Sequence, residues 1–189
     1  PAGSSSSTPN SLAGLTVSGG TMTASTSLPK GANSVTVGTW NFMAGSEGSV
    51  ALSSVTFKRT GVGTTSDISN AYIYDGANRL TSGRTFNSST NEATFALNMT
   101  IAAGSTKALS LVVSISTTAN SGDQHVFTLE SAAKVSSNAA SVNGVFPVAS
   151  NMHSIAGASA GTIAIQKSGS LSNPRVGDKG IKVSEFRLD

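Results

Sequence analysis

His125 and His153 are the only imidazoles in this chain of 189 residues, and Asp123 lies two positions before His125. Residues i and i+2 of an extended strand share a face, so Asp123 and His125 have the types and spacing of the base half of a hydrolytic triad. A triad also needs one serine that the fold aims at the imidazole, and nothing in this Ser-rich chain singles one out. Both histidines therefore read as ordinary strand residues. GASAG, at residues 157–161, has the G-x-S-x-G spelling with Ser159 at its centre. That motif works through a sharp strand-to-helix turn that exposes the hydroxyl; a strand pattern follows here, and the segment reads as a linker. There is no H-E-x-x-H and no His or carboxylate cluster with ligand spacing, so no transition-metal site is expected. The absence of cysteine excludes disulfides, thiolate sites and thiol nucleophiles. The chain is expected not to be an enzyme.

Hard cations, sugars and modifications leave weaker marks. Glu47, Asp67, Asp75 and Asp123 fall at or near loops, where calcium collects carboxylate and carbonyl oxygens, and they are the weak calcium candidates. None belongs to a D-x-D-x-D-G loop, and turn-forming Asp is the default reading. Tyr72 and Tyr74 share one strand face, with Ala71 and Ile73 on the other. If Ile73 points into the core, the tyrosines stand outside as a platform for surface glycans or as a subunit interface. Trp40 reads as core. Asn87 and Asn98 begin N-x-[ST] sequons, Asn87 in a loop and Asn98 within a strand pattern. Lys58 has the chemistry for an intramolecular isopeptide bond but no evident partner.

The elements that must position these residues are strands. Residues 34–44, SVTVGTWNFMA, form the clearest one. Before it, residues 15–28 read as one or two strands broken at Gly19-Gly20. After it come a strand with a bulge at Ser53-Ser54, a hairpin at residues 68–85 turning at Asp75-Gly76, and a second hairpin that pairs ATFALNMTI with KALSLVVSIS across AAGST. Turn signals recur every eight to twelve residues or so without helical periodicity, which predicts an all-β, Greek-key β-sandwich over residues 15–156. Residues 1–14 read as a Ser/Pro/Gly-rich arm, and residues 157–189 as a hinge followed by further strands.

Composition agrees. Only 11% of residues are charged, yet 38% are apolar, which suits a β protein with a hydroxyl-rich surface. The net charge of +3 comes mostly from the last 32 residues, where five Lys/Arg face three acids. With no dense basic stripe and few aromatics, nucleic acid is not an expected partner, and no apolar run is long enough for a membrane span.

The tail repeats the start. Ile181, Val183, Phe186 and Leu188 follow Val35, Val37, Trp40 and Phe42 at a constant offset of 146 residues, and Gly161-Thr162-Ile163 answers Gly20-Thr21-Met22, with about five residues inserted between these two anchors in the tail. Taken with WNF running into AGSEG, then SVTFKRTG, SDISNAYIYDG, ATFALNMTIAAGSTKALSLVVSIS and NGVFPV, the sequence resembles the tandem Ig-like sandwich repeats of large bacterial, S-layer-like surface proteins, particularly those of candidate-phylum bacteria. The resemblance implies an Ig-like fold, an extracellular cell-surface location and an array-forming role with copies of itself or adjacent repeats. The tail then either opens the next repeat of a longer chain or donates strands to a neighbouring subunit in a filament, through Ile163, Ile165, Ile181, Val183, Phe186 and Leu188.

Overall fold

The computed structural model describes residues 13–161, 163–169, 173–182 and 184–189. Val183 and residues 1–12 of the expected arm lie outside these. The chain divides into two compact units, Pro1–Ser159 and Ala160–Asp189. Packing in the first unit includes residues just before Leu15: Ala13 is buried, and the Gly14 carbonyl accepts the Gly45 N–H at 2.9 Å.

The first strands of this unit are β1 (Leu15–Gly19), β2 (Ser27–Lys30), β3 (Val35–Ala44), β4 (Val50–Thr60), β5 (Ile68–Asp75) and β6 (Asn78–Arg79). There follow β7 (Glu92–Ile101), β8 (Thr106–Ile115), β9 (Gln124–Leu129), β10 (Val135–Ser137), β11 (Val142–Gly144), β12 (Val148–Ala149) and β13 (His153–Ser159). One sheet has the order β11-β1-β3-β8-β5-β6; the facing sheet runs β10-β4-β9-β13-β2, with β7 also on β4 and β12 on β9. Among the described residues there is no α-helix, only one-turn 3-10 segments at Thr65–Asp67 and Ala132–Lys134. The fold is an all-β sandwich.

Strict alternation places one side of each strand between the sheets. Trp40 and Phe42 from β3 meet Phe57, Phe95 and Phe127 from the facing sheet, all essentially buried. The Trp40 and Phe57 rings touch edge to face at 4.6 Å. The three-residue step from Val37 to Trp40, which breaks the alternation in sequence, coincides with a register shift between Thr36 and Gly38 against β8. The expected bulge is present as well, as a shift between Leu52 and Ser54 in the β4–β7 pairing.

One expected hairpin is absent. β7 and β8 do not pair with each other: β7 lies on β4, while β8 lies between β3 and β5 in the opposite sheet. The connecting turn is held by a distant loop, with the Gly104 N–H donating to the Gly45 carbonyl at 3.0 Å and the Ala44 N–H to the Ser105 carbonyl at 3.0 Å. Those contacts carry the chain across the core as an arch, so the inward rows of Phe95 and Leu97 and of Leu109 and Leu111 face each other rather than lying side by side. The strand before the expected hinge also continues further, since Gly157 and Ser159 belong to β13.

The second unit contains β14 (Ile165–Lys167) and β15 (Phe186–Leu188), paired antiparallel with Ile165 opposite Leu188 and Lys167 opposite Phe186.

Candidate functional site

The residues with the most chemical potential converge at one buried spot in the first unit. On β4 the inward phase of Val55 and Phe57 continues to Arg59, and on β9 the phase of Leu129 and Phe127 continues to His125. Arg59 pairs with Phe127, which makes His125 its diagonal neighbour, and His153 on β13 lies directly opposite His125. Asp67 closes the 3-10 turn before β5. All four side chains are nearly or wholly buried.

Arg59 Nε donates to His125 Nδ1 at 2.8 Å. This fixes the tautomer, because an imidazole that accepts at Nδ1 carries its proton on Nε2. His125 Nε2 faces Asp67 Oδ2 at 3.5 Å, within ion-pair range but too long for a good hydrogen bond. Asp67 is held by the main chain: Oδ2 accepts the Thr64 N–H at 3.0 Å and Oδ1 the Asn120 N–H at 3.2 Å. His153 Nε2 lies 3.3 Å from the Val37 carbonyl. A neutral imidazole thus bridges a buried guanidinium and a buried carboxylate.

Burial, then the charge of Arg59, lower the His125 pKa to about 4 against the opposing pull of Asp67. Burial also lowers His153, opposed by its Val37 contact, and lowers Arg59, opposed by Asp67 and Asp123. The consequence for stability has a definite sign. The unfolded histidine takes up its proton near pH 6.5 and the folded one near 4, so stability is complete above 6.5 and is lost as pH falls through that window. The His125 contribution to this loss is on the order of 2–3 kcal/mol. Urea unfolding at pH 7 and pH 4.5 measures it, and His125→Gln should show a smaller difference between the two; an equal difference would contradict burial of a neutral His125.

Several expectations change here. The carboxylate facing His125 is Asp67, not Asp123, which instead lies 3.5 Å from Asn120 Nδ2. Asp123 sits one residue before β9 begins, so the shared strand face does not apply to it. The four calcium candidates are not gathered into one site: Asp67 belongs to the buried cluster, Asp75 pairs with Lys107 at 2.7 Å, and Glu47 lies in the β3–β4 turn. Among the described residues no group of three or more His, Asp or Glu could hold a metal. Ser159 ends β13 opposite Lys30, in extended chain rather than a strand-to-helix turn. Lys58 pairs with Glu130 at 2.8 Å, a hydrogen bond and charge that raise its pKa.

Ile73 is buried in the core, which leaves Tyr72 and Tyr74 half-buried on the outer face of their sheet. The Arg79 guanidinium lies 5.5 Å from the Tyr72 ring centre, a cation–π contact. Trp40 is core, its indole N–H donating to the Val148 carbonyl at 3.0 Å. Asn87 forms a turn through its own side chain, which accepts the Ser89 and Thr90 N–H groups, while Asn98 is exposed on β7. A shallow groove of about 420 Å³ between β1 and the β11–β12 connection is lined by Val17, Met22, Val145, Pro147 and Val148.

The second unit presents a different kind of site. Ile163, Ile165, Phe186 and Leu188 are 66–78% exposed, and Ile181 is half-buried. The pairing of Ile165 with Leu188 reproduces that of Val17 with Phe42, and Lys167 with Phe186 that of Gly19 with Trp40. By register, then, Ile163 and Ile165 answer Leu15 and Val17 of β1, rather than Ile163 answering Met22. The left-handed positions repeat too: Gly31 (φ 72°) and Ser34 (φ 57°) precede β3, and Gly177 (φ 101°) and Gly180 (φ 69°) precede β15 at the same offset of 146 residues.

Comparison with protein-family models, curated proteins and solved structures finds no match. Among the described residues no helix is long and apolar enough to cross a membrane.

Proposed function

We propose that this chain is a non-enzymatic structural module of an extracellular, S-layer-like array, stalk or filament, built from Ig-like repeats and joined to copies of itself or to adjacent repeats through its C-terminal hairpin. The observation that carries this reading is the contrast between two equivalent hairpins. In the sandwich, Leu15, Val17, Trp40 and Phe42 are at most 1% exposed; their counterparts Ile163, Ile165, Phe186 and Leu188 are at least 66% exposed. In the sandwich β3 is also flanked on both edges, by β1 and β8, whereas among the described residues β15 pairs with β14 alone. An apolar strand with a free edge is a template for pairing. A neighbouring sandwich supplies the missing strand and the facing sheet, with main-chain bonds giving affinity and alternate side chains giving fit.

Sedimentation velocity across a concentration series tests the reading on the full chain. The natural sequence should associate, and the double substitution Phe186→Asp and Leu188→Asp should leave a monomer whose sandwich unfolds as before. Association unchanged by the two aspartates would refute it.

The outward placement of Tyr72 and Tyr74 favours one alternative, a carbohydrate-binding adhesin domain that stacks sugars on these rings. Glycan-array binding that disappears in Tyr72→Ala with Tyr74→Ala would support it over the structural reading.

A further inference from the structure

The strands that bring the chain into the sandwich are paired in parallel with strands near its end. Leu15, Thr16 and Val17 of β1 lie beside Val142, Asn143 and Gly144 of β11, and Ser27 and Leu28 of β2 lie beside Ser154 and Ile155 of β13. The registers also say where the chain comes in and where it leaves. Leu15 is opposite Ala44, at the finish of β3. Ser159 is opposite Lys30, which a short turn joins to Val35 at the beginning of β3. The two points therefore lie at opposite ends of the sandwich, separated by roughly the 30 Å length of a ten-residue strand.

Tension along the polypeptide then pulls β13 lengthwise past β2. The bonds of a parallel ladder lie across the strand direction; here they fall in two groups, at Ser154–Ile155 and at Ser159, with a register shift between them. A lengthwise pull loads both groups together, whereas a pull that separates two ends on the same side opens them in turn. β13 is also anchored on its other edge. The Ile155 N–H donates to the Asp123 carbonyl at 2.8 Å and its carbonyl accepts the Gly122 N–H at 2.9 Å, while on the β2 edge the Ser154 N–H donates to the Thr26 carbonyl at 3.1 Å. Inside, His153 is wholly buried against Val37. At the start of β1 the Leu15 N–H donates to the Ser141 carbonyl at 2.9 Å, so the first three residues of β1 are held on β11 in the same way.

We propose that the sandwich is a load-bearing element in which β2 and β13 form a shear clamp, backed by β1 on β11, that carries tension from one end of the domain to the other. This follows from the topology of the first unit and does not depend on what the C-terminal hairpin joins.

Optical-tweezers unfolding of the full chain tests it in two pulling directions. One tether runs through the two chain termini and loads the clamp in shear. The other runs through Lys30→Cys and Ala160→Cys, at one end of the same strand pair, and peels it; the natural chain has no cysteine, so attachment is unambiguous. Rupture in shear should need at least about twice the force of peeling at equal loading rate, since forced unfolding follows the barrier along the pulled direction. Equal forces in both directions, or a higher force in peeling, would overturn the proposal. An unchanged urea midpoint checks that the double-cysteine protein folds, and Ala32→Cys replaces Lys30→Cys at the same end if it does not.

Discussion

Trp40→Ala is expected to lower the unfolding free energy of the sandwich by about 3–5 kcal/mol, a large part of what a domain of this size holds. The indole is fully buried, makes an edge contact with Phe57 at 4.6 Å, and ties β3 to β12 through its bond to the Val148 carbonyl. Its neighbours are poorly placed to fill the void. A Cβ on Gly38 would come within 3.1 Å of the indole ring, so this part of β3 has been shaped around the large side chain. Trp40→Phe keeps most of the volume and loses the hydrogen bond, and should cost clearly less. Urea unfolding of the three proteins gives the ranking, and equal loss in both variants would mean that the hydrogen bond, not packing, dominates.

Asp67→Ala should cost a similar amount, about 3–5 kcal/mol, for an electrostatic reason. The carboxylate accepts two main-chain N–H groups and offsets a guanidinium that is 4% exposed. Removing it strands the Thr64 and Asn120 donors and leaves Arg59 with the weaker influence of Asp123. Because the penalty lies partly in the uncompensated cation, adding Arg59→Met to Asp67→Ala should cost much less than the sum of the two single changes. Strict additivity in this cycle would show that Asp67 and Arg59 are not coupled through His125.

Much of the fold was readable from local pattern. The Asp75-Gly76 turn, the bulge near Ser53-Ser54 and the inward phase of Trp40 and Phe42 each follow from a few adjacent residues. The β7–β8 connection was not, because AAGST has the composition of a hairpin turn and only its long-range bonds to Ala44 and Gly45 send the chain to the opposite sheet. The buried cluster was half readable. Arg59 stands two residues after Phe57 in an alternating strand, which is a signal that it points inward, and His125 stands two before Phe127. What local pattern does not carry is the return of Asp67, 58 residues before His125, to the same spot. In the tail, the constant offset likens residues 181–188 to β3, and the β14–β15 register likens Ile163 and Ile165 to Leu15 and Val17 rather than to Met22, a correspondence that depends on cross-strand partners and not on local sequence.

The central proposal is that β15 takes, against a neighbouring sandwich, the doubly flanked place that β3 has in its own. Hydrogen–deuterium exchange of residues 184–189 in the full chain, compared between dilute and concentrated solution, reads this directly. These amides should exchange markedly more slowly once the chains associate, while those of the sandwich core stay unchanged. Equal exchange in the dilute and associated states would contradict it, since an interface formed elsewhere leaves the free edge of β15 open to water.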